Sequence, residues 1–186
     1  LQGQDLPPDT RRYLEQIDDR TQAMKRLTEE LFRYSVVVSE EKLAREPVDL
    51  CRAVEEALLS FYGALEGRGI DPQVRLPEEP VVRQLDPSAL SRVLGNILTN
   101  ALKYSVGNLE VALEESGRLT FSNSAPGLDP VAAGRLFDRF YTVEAARNST
   151  GLGLSIAKEL TQRMGGSIGA DFHNGRLTVW VEFPAG

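Results

Sequence analysis

Hydrophobic positions recur at helical spacing through the first third of the chain. Leu14, Ile17, Met24, Leu27, Leu31 and Val38 lie three, four or seven apart, and no glycine or proline interrupts residues 11–43. Ile17, Met24, Leu31 and Val38 form one heptad column, and Leu14, Thr21, Thr28 and Ser35 form the next. That is half of a coiled-coil seam, and it predicts a helix of about 30 residues that needs a partner helix. Asp9 or Thr10 can cap its start, after Pro7-Pro8, and Glu46-Pro47 is expected to stop it. Asp49 caps a second predicted helix running to about Glu66, which Gly67-Arg68-Gly69 closes.

Two short strand-like runs follow, Val74–Leu76 and Val81–Leu85. Asp86-Pro87 is a start signal, with aspartate as cap and proline at the first helical position. The helix it opens runs to about Tyr104, with Leu90, Val93, Leu94, Ile97, Leu98 and Ala101 on its buried face. Alternation through Leu109, Val111, Leu113 and then Leu119, Phe121 predicts a hairpin. Pro126-Gly127 and Asp129-Pro130 mark a loop, Leu136–Tyr141 is apolar and aromatic, and Thr142–Thr150 reads as a mobile loop. Gly151-Leu152-Gly153 opens a fourth helix that ends at Gly165-Gly166. The chain closes in a second hairpin through Asn174-Gly175, a pair suited to a type I′ turn.

Composition narrows the function classes. The chain has 186 residues, 41% of them hydrophobic and 26% charged, with a net charge of −6. The acidic balance argues against a nucleic-acid partner. No apolar run is long enough to span a membrane, and the first residues have no signal-peptide pattern. One cysteine, Cys51, excludes an internal disulfide and a cysteine-rich zinc site, and agrees with a reducing compartment. One histidine, His173, excludes sites built from several imidazoles.

Three constellations carry chemistry. Asn96 and Asn100 share a helix face, with Lys103 one turn on and Tyr104 beside it. Asparagine is a poor helix former, so two within one turn want a reason. An amide oxygen is a suitable ligand for hydrated Mg²⁺, and a lysine for a phosphate. Gly151-Leu152-Gly153-Leu154 offers backbone N–H groups at a helix start, which favour anions. Asn123, within Ser122–Gly127, can present an amide edge to a planar ligand, although by itself it reads as a turn residue.

Each motif alone is weak. Their order is specific: Asn96-x3-Asn100-Ala-x-Lys103-Tyr104, Asn123-Ser-x-Pro-Gly127, Leu136-Phe-x-Arg139-Phe-Tyr141, Gly151-x-Gly153-Leu154-x-Ile156. This resembles the ATP-binding domain of sensor histidine kinases, whose fold is shared with gyrase, heat-shock chaperone ATPases and mismatch-repair ATPases. The resemblance covers about Pro47 to Pro184, and the leading helix resembles the second helix of the family's dimerisation hairpin. It implies an α+β, two-layer sandwich of the Bergerat type, a mixed and mostly antiparallel sheet under about three helices. Residues 1–45 would be a partial dimerisation and phosphoacceptor region, and 46–186 the catalytic domain.

The resemblance also implies roles. Asn100 is the Mg²⁺ ligand, and Asn96 helps order metal and water and takes part in catalysis. Lys103 partners a phosphate, Tyr104 and Tyr141 wall the nucleotide, and Arg139 reaches the phosphates as a second catalytic residue. Gly151, Leu152, Gly153 and Leu154 cradle the phosphates beneath a lid of residues 142–150. ATP and Mg²⁺ are the implied cofactors. The implied partners are a response regulator and a second copy of the parent protein through the N-terminal helix. The parent is implied to be anchored in the membrane upstream, with this segment on the cytoplasmic side.

Two departures from the family pattern bear on function. Asn123 stands where the family has an aspartate that accepts from the adenine amine, and Ala125 replaces a glycine. An uncharged acceptor predicts roughly tenfold weaker nucleotide binding and relaxed adenine-over-guanine selectivity. Ala125 is harmless only if its φ is negative. The family's acceptor histidine lies on the first hairpin helix, next to an acidic residue, whereas His173 lies beside the final turn. The chain is therefore expected to be a piece cut between the two hairpin helices, binding nucleotide without phosphorylating itself; the alternative is a degenerate kinase. The competing readings are a non-catalytic interaction module with a degenerate pocket, and a serine kinase of the anti-sigma-factor type.

Overall fold

A computed structural model describes residues 7, 10–18, 20–22, 24, 25, 28, 43–141 and 151–185. The described residues between 10 and 28 are helical and are named α1, and their apolar side chains are exposed, Met24 by 71% and Ile17 by 59%. The proposed cap Asp9 and the predicted continuation of this helix over 29–42 lie outside the described residues. Beyond them the order is β1 (Glu46–Asp49), α2 (Leu50–Glu66), β2 (Asp71–Arg75), β3 (Val82–Leu85), α3 (Pro87–Tyr104), β4 (Asn108–Leu113), β5 (Arg118–Ser124), α4 (Pro130–Gly134), α5 (Gly153–Arg163), β6 (Ser167–His173) and β7 (Arg176–Glu182).

Five strands form one sheet in the order β2-β4-β5-β7-β6, and β1 pairs with β3 in a separate two-stranded sheet. Among the described residues only β2 and β4 run parallel; every other strand pair is antiparallel. The mixed two-layer sandwich expected from the sequence is the fold observed. Alternation sets the layers. Val111, Phe121 and Val179 stand in register on the buried face, flanked by Leu109, Leu119, Leu177 and Val181. The face of α3 from Leu90 to Ala101 meets them, and α5 packs beside α3. Burial of each large side chain contributes about 1.5–3 kcal/mol.

The other sheet face is polar and internally paired. Glu110 binds Arg176 at 2.8 Å and Arg75 at 3.7 Å, and Arg118 binds Glu182 at 3.1 Å. The Arg118 guanidinium also lies 4.3 Å over the Trp180 ring. These pairs are partly exposed and contribute little each.

Several predicted boundaries are corrected. Glu46-Pro47 does not merely stop a helix: it begins β1, paired Glu46 to Leu85. The run expected at Val74–Leu76 is β2, three residues earlier, and Pro72 is tolerated there because β2 is an edge strand. Asp129-Pro130 opens a short helix, α4, by the same cap-and-proline geometry as α3, with Asp129 Oδ1 accepting from Ala132 N–H at 2.7 Å. The type I′ turn is observed, with φ of 52° at Asn174 and 74° at Gly175.

Asp86 fixes the start of α3. Its Oδ1 accepts from Ala89 N–H at 2.9 Å and from the Ser88 hydroxyl at 2.7 Å, while Oδ2 accepts from Ala44 N–H at 2.9 Å. Burial pushes this carboxyl upward, but the hydrogen bonds outweigh it and hold the carboxyl below the usual carboxylate range. The unfolded group titrates near about 3.9, so the folded state binds fewer protons between its own lowered value and that one. The stabilisation is therefore complete above about pH 4 and disappears as pH falls through the folded value. Asp86→Ala is expected to cost about 2 kcal/mol at neutral pH, and less at pH 3, in urea titrations run at both pH values.

Candidate functional site

The site is built where the start of α5 meets the middle of α3. A Cβ added to Gly153 would lie 3.3 Å from Asn96 Oδ1, so the first residue of α5 sits against that amide oxygen. Asn100 follows one turn along α3, about 6 Å further on. Both asparagines are half-buried beside the core stripe of Val93, Leu94, Ile97, Leu98 and Ala101. The helix ends in Lys103 and Tyr104, with the ammonium 5.0 Å over the Tyr104 ring.

The α5 start carries no side-chain cap. Leu152 occupies the capping position with no side-chain hydrogen bond, and its carbonyl accepts from the Ser155 hydroxyl at 2.8 Å. Leu152 and Leu154 are buried, which anchors the turn and leaves it backbone rather than side chain to offer. A helix start of this kind attracts anions.

Residues 142–150, the predicted lid, lie outside the described residues, but the two chain ends that flank them meet. Phe140 N–H donates to the Gly151 carbonyl at 3.1 Å. Gly151 has φ +73°, and a Cβ there would lie 2.6 Å from Phe140 C and from Tyr141 O. Tyr141 is held from the other side by Arg135, whose guanidinium lies 4.2 Å over its ring and whose Nε binds Asp138 Oδ2 at 3.1 Å.

Asn123 is a strand residue, correcting the expectation of a turn. It lies on the core face of β5, opposite Leu177, and is 2% exposed. Its Nδ2 donates to the Ser124 carbonyl at 3.1 Å, which leaves Oδ1 as the acceptor. Asn108, missed by the sequence reading, holds this strand end with both amide atoms: Oδ1 accepts from Ser124 N–H at 2.9 Å and Nδ2 donates to Ser124 Oγ at 3.0 Å. Neither Asn108 nor Arg135 belongs to a motif, so only the strand register and the ring contact disclose them. Ala125 is buried and is absent from the non-glycine residues with positive φ, so its methyl group is accommodated. Gly127 and Arg139 stand on the surface, and a Cβ at Gly127 would meet nothing within 4 Å.

Among the described residues no group of three or more His, Cys, Asp or Glu could hold a metal. A cation here would have to rely on an amide oxygen and on a ligand's own phosphates, a donor set that suits Mg²⁺.

Residues 85–186 match the family described as histidine kinase-, DNA gyrase B-, and HSP90-like ATPase. The match spans more than half of the chain, which belongs to this family. Sensor protein VanS of Enterococcus faecium is 32% identical over 195 residues, covering 97% of this chain and 50% of that protein. Sensor histidine kinase YcbM of Bacillus subtilis is 29% identical over 174 residues, covering 88% of this chain and 56% of that protein. The chain thus spans about half the length of these relatives. The solved histidine kinase ThkA, in complex with response regulator protein TrrA, shares the fold at a TM-score of 0.75 and 20% identity, covering 98% of this chain and 53% of that one. The chain carries the ATP-binding domain of this family.

Proposed function

We propose that this chain holds Mg-ATP between α3 and α5 and offers its γ-phosphoryl to a histidine on a phosphoacceptor helix outside the 186 residues. The observation that carries this reading is the seating of Gly153 against Asn96, which joins the two asparagines of α3 to an uncapped helix start. Asn100 would ligate the metal and Asn96 would orient it and its water. When bound, the cation neutralises phosphate charge. Lys103 and Arg139 supply further positive charge, and Tyr104 and Tyr141 wall the nucleotide. The acceptor imidazole nitrogen forms the new bond to phosphorus as the bond to the ADP oxygen breaks, so the protein's task is positioning and electrostatics.

The same reading makes residues 1–45 a partial dimerisation region joined to a catalytic domain at 46–186. Exposed Tyr13, Leu14, Ile17 and Met24 on α1 support pairing with a second copy. The parent protein would be membrane-anchored upstream, with this segment on the cytoplasmic side; no helix among the described residues is long and apolar enough to cross a membrane. A response regulator would receive the phosphoryl group, as the named complex of ThkA with TrrA supports.

Asn123 tests the base pocket. Its Oδ1 is presented as an acceptor for an exocyclic amine, while facing a guanine carbonyl would require an amide flip that loses the bond to Ser124. Adenine preference is therefore retained but narrowed relative to a carboxylate. Asn123→Asp is expected to tighten ADP binding about tenfold and to leave GDP binding no tighter, measured by calorimetry with both diphosphates. Unchanged ADP affinity would remove Asn123 from the base pocket.

A further inference from the structure

Residues 43–45 lead into β1; Leu43 packs against the core, and two hydrogen bonds tie the segment to the nucleotide domain besides the strand pairing. Ala44 N–H donates to Asp86 Oδ2 at 2.9 Å, and the Arg45 guanidinium donates to the Arg163 carbonyl at 3.1 Å. Both anchors belong to the helices that build the site: Asp86 caps α3, and Arg163 closes α5. The carboxylate divides its work. Oδ1 takes the α3 N–H group of Ala89 and the Ser88 hydroxyl, and Oδ2 takes the linker. A helix cap alone needs one oxygen, and serine or asparagine would serve it equally well. The second oxygen therefore has a separate use. Asp86 lies ten residues before Asn96, about 15 Å along α3, so the linker is fastened well away from the nucleotide-facing asparagines.

We propose that Asp86 is a positioning residue: it latches the linker to α3 and fixes the direction in which the chain leaves the nucleotide domain. This rests on the kinase reading in one respect, that the linker direction then sets how the α3–α5 site is offered to a phosphoacceptor histidine. Any movement passed from the N-terminal helix to the catalytic domain has to pull against this bond. The Arg45 contact and the Glu46–Leu85 pairing hold the same segment from its other sides.

The test separates latch from cap. Asp86→Asn and Asp86→Ser each keep one acceptor oxygen, enough for Ala89 and not for Ala44 as well. Amide hydrogen exchange on the whole chain is expected to show Ala44 exchanging about tenfold faster in both variants, with Ala89 within about twofold of its original rate. Mg-ADP affinity is expected to stay within about twofold. Spin labels at Met24→Cys and Leu59→Cys, in a Cys51→Ser background, are expected to give a broader distance distribution in both variants. An Ala44 amide that is unprotected from the start, or whose exchange and label distances do not change, would overturn the latch. So would Mg-ADP affinity falling in step with Ala89 protection, which would make Asp86 a residue of α3 alone. Failure of the unaltered chain to bind Mg-ADP would count against the kinase reading, while the exchange and label data would still decide the latch.

Discussion

Asn100→Ala is expected to weaken Mg-ADP binding by at least about 100-fold without unfolding the chain. Loss of a group one step removed from a metal typically costs 10–100-fold, so loss of a ligand sets the larger figure as a floor. A factor of 100 is about 2.7 kcal/mol of binding energy. Asn100 is half-buried at the edge of the α3 core stripe, and alanine is the better helix former, so α3 itself should survive. The check is a pair of measurements: calorimetric titration with Mg-ADP, and urea denaturation without nucleotide. A wild-type titration curve for the variant would remove Asn100 from the metal site. Equal loss of binding and of stability would assign it to the fold.

Gly151→Ala is the second substitution with a large expected effect, about 3 kcal/mol. Two costs add. The backbone at 151 has φ +73°, where an L-residue pays about 1–2 kcal/mol. The new Cβ would also stand 2.6 Å from Phe140 C and Tyr141 O and 2.7 Å from Tyr141 N. All three are backbone atoms and cannot rotate aside, so the chain must shift, at a typical cost of 1–3 kcal/mol. The shift would break the Phe140–Gly151 hydrogen bond and splay the two ends that bracket residues 142–150. Nucleotide affinity should fall with it. Gly127→Ala is the control: nothing lies within 4 Å of its Cβ, and a change within about 0.5 kcal/mol is expected. Urea titrations of the two variants side by side check both. Equal stability would show that Gly151 is loop punctuation.

The large features of this fold were legible because they are local. Asp86-Pro87 specifies the start of α3, and the observed helix begins at Pro87 and ends at Tyr104 as the apolar spacing requires. Asn174-Gly175 specifies its turn through two positive φ angles. The same cap-and-proline pair stands at Asp129-Pro130, but α4 is only five residues long and has no periodic face, so the segment reads as a loop. β1 was not legible: four residues beginning Glu46-Pro47 become a strand only because Val82–Leu85, far along the chain, supplies the partner. Taken alone Asn123 reads as a turn residue, because the pairing of β5 with β7 decides its burial, and that pairing spans more than fifty residues.

The site was legible in its order of motifs and illegible in its supports. The sequence placed Asn96 and Asn100 on one face, and the structure adds that Gly153 sits against the first of them. The resemblance named Gly151 among the residues around the phosphates, and the structure shows the backbone contacts that require glycine there. It did not disclose that Asn108 clamps the strand end at Ser124, that Arg135 stacks on Tyr141, or that the second oxygen of Asp86 holds the linker. Each of these joins residues distant in sequence or acts through geometry with no residue-type signature.

The central claim is that the α3–α5 junction is a working Mg-nucleotide site. Calorimetric titration of the unaltered chain with ADP, with and without Mg²⁺, tests it most directly. The account predicts saturable, one-to-one binding in the micromolar range that requires Mg²⁺. A folded chain that gives no binding heat and no thermal stabilisation with Mg-ADP would contradict it, and would leave the fold as an interaction module with a degenerate pocket.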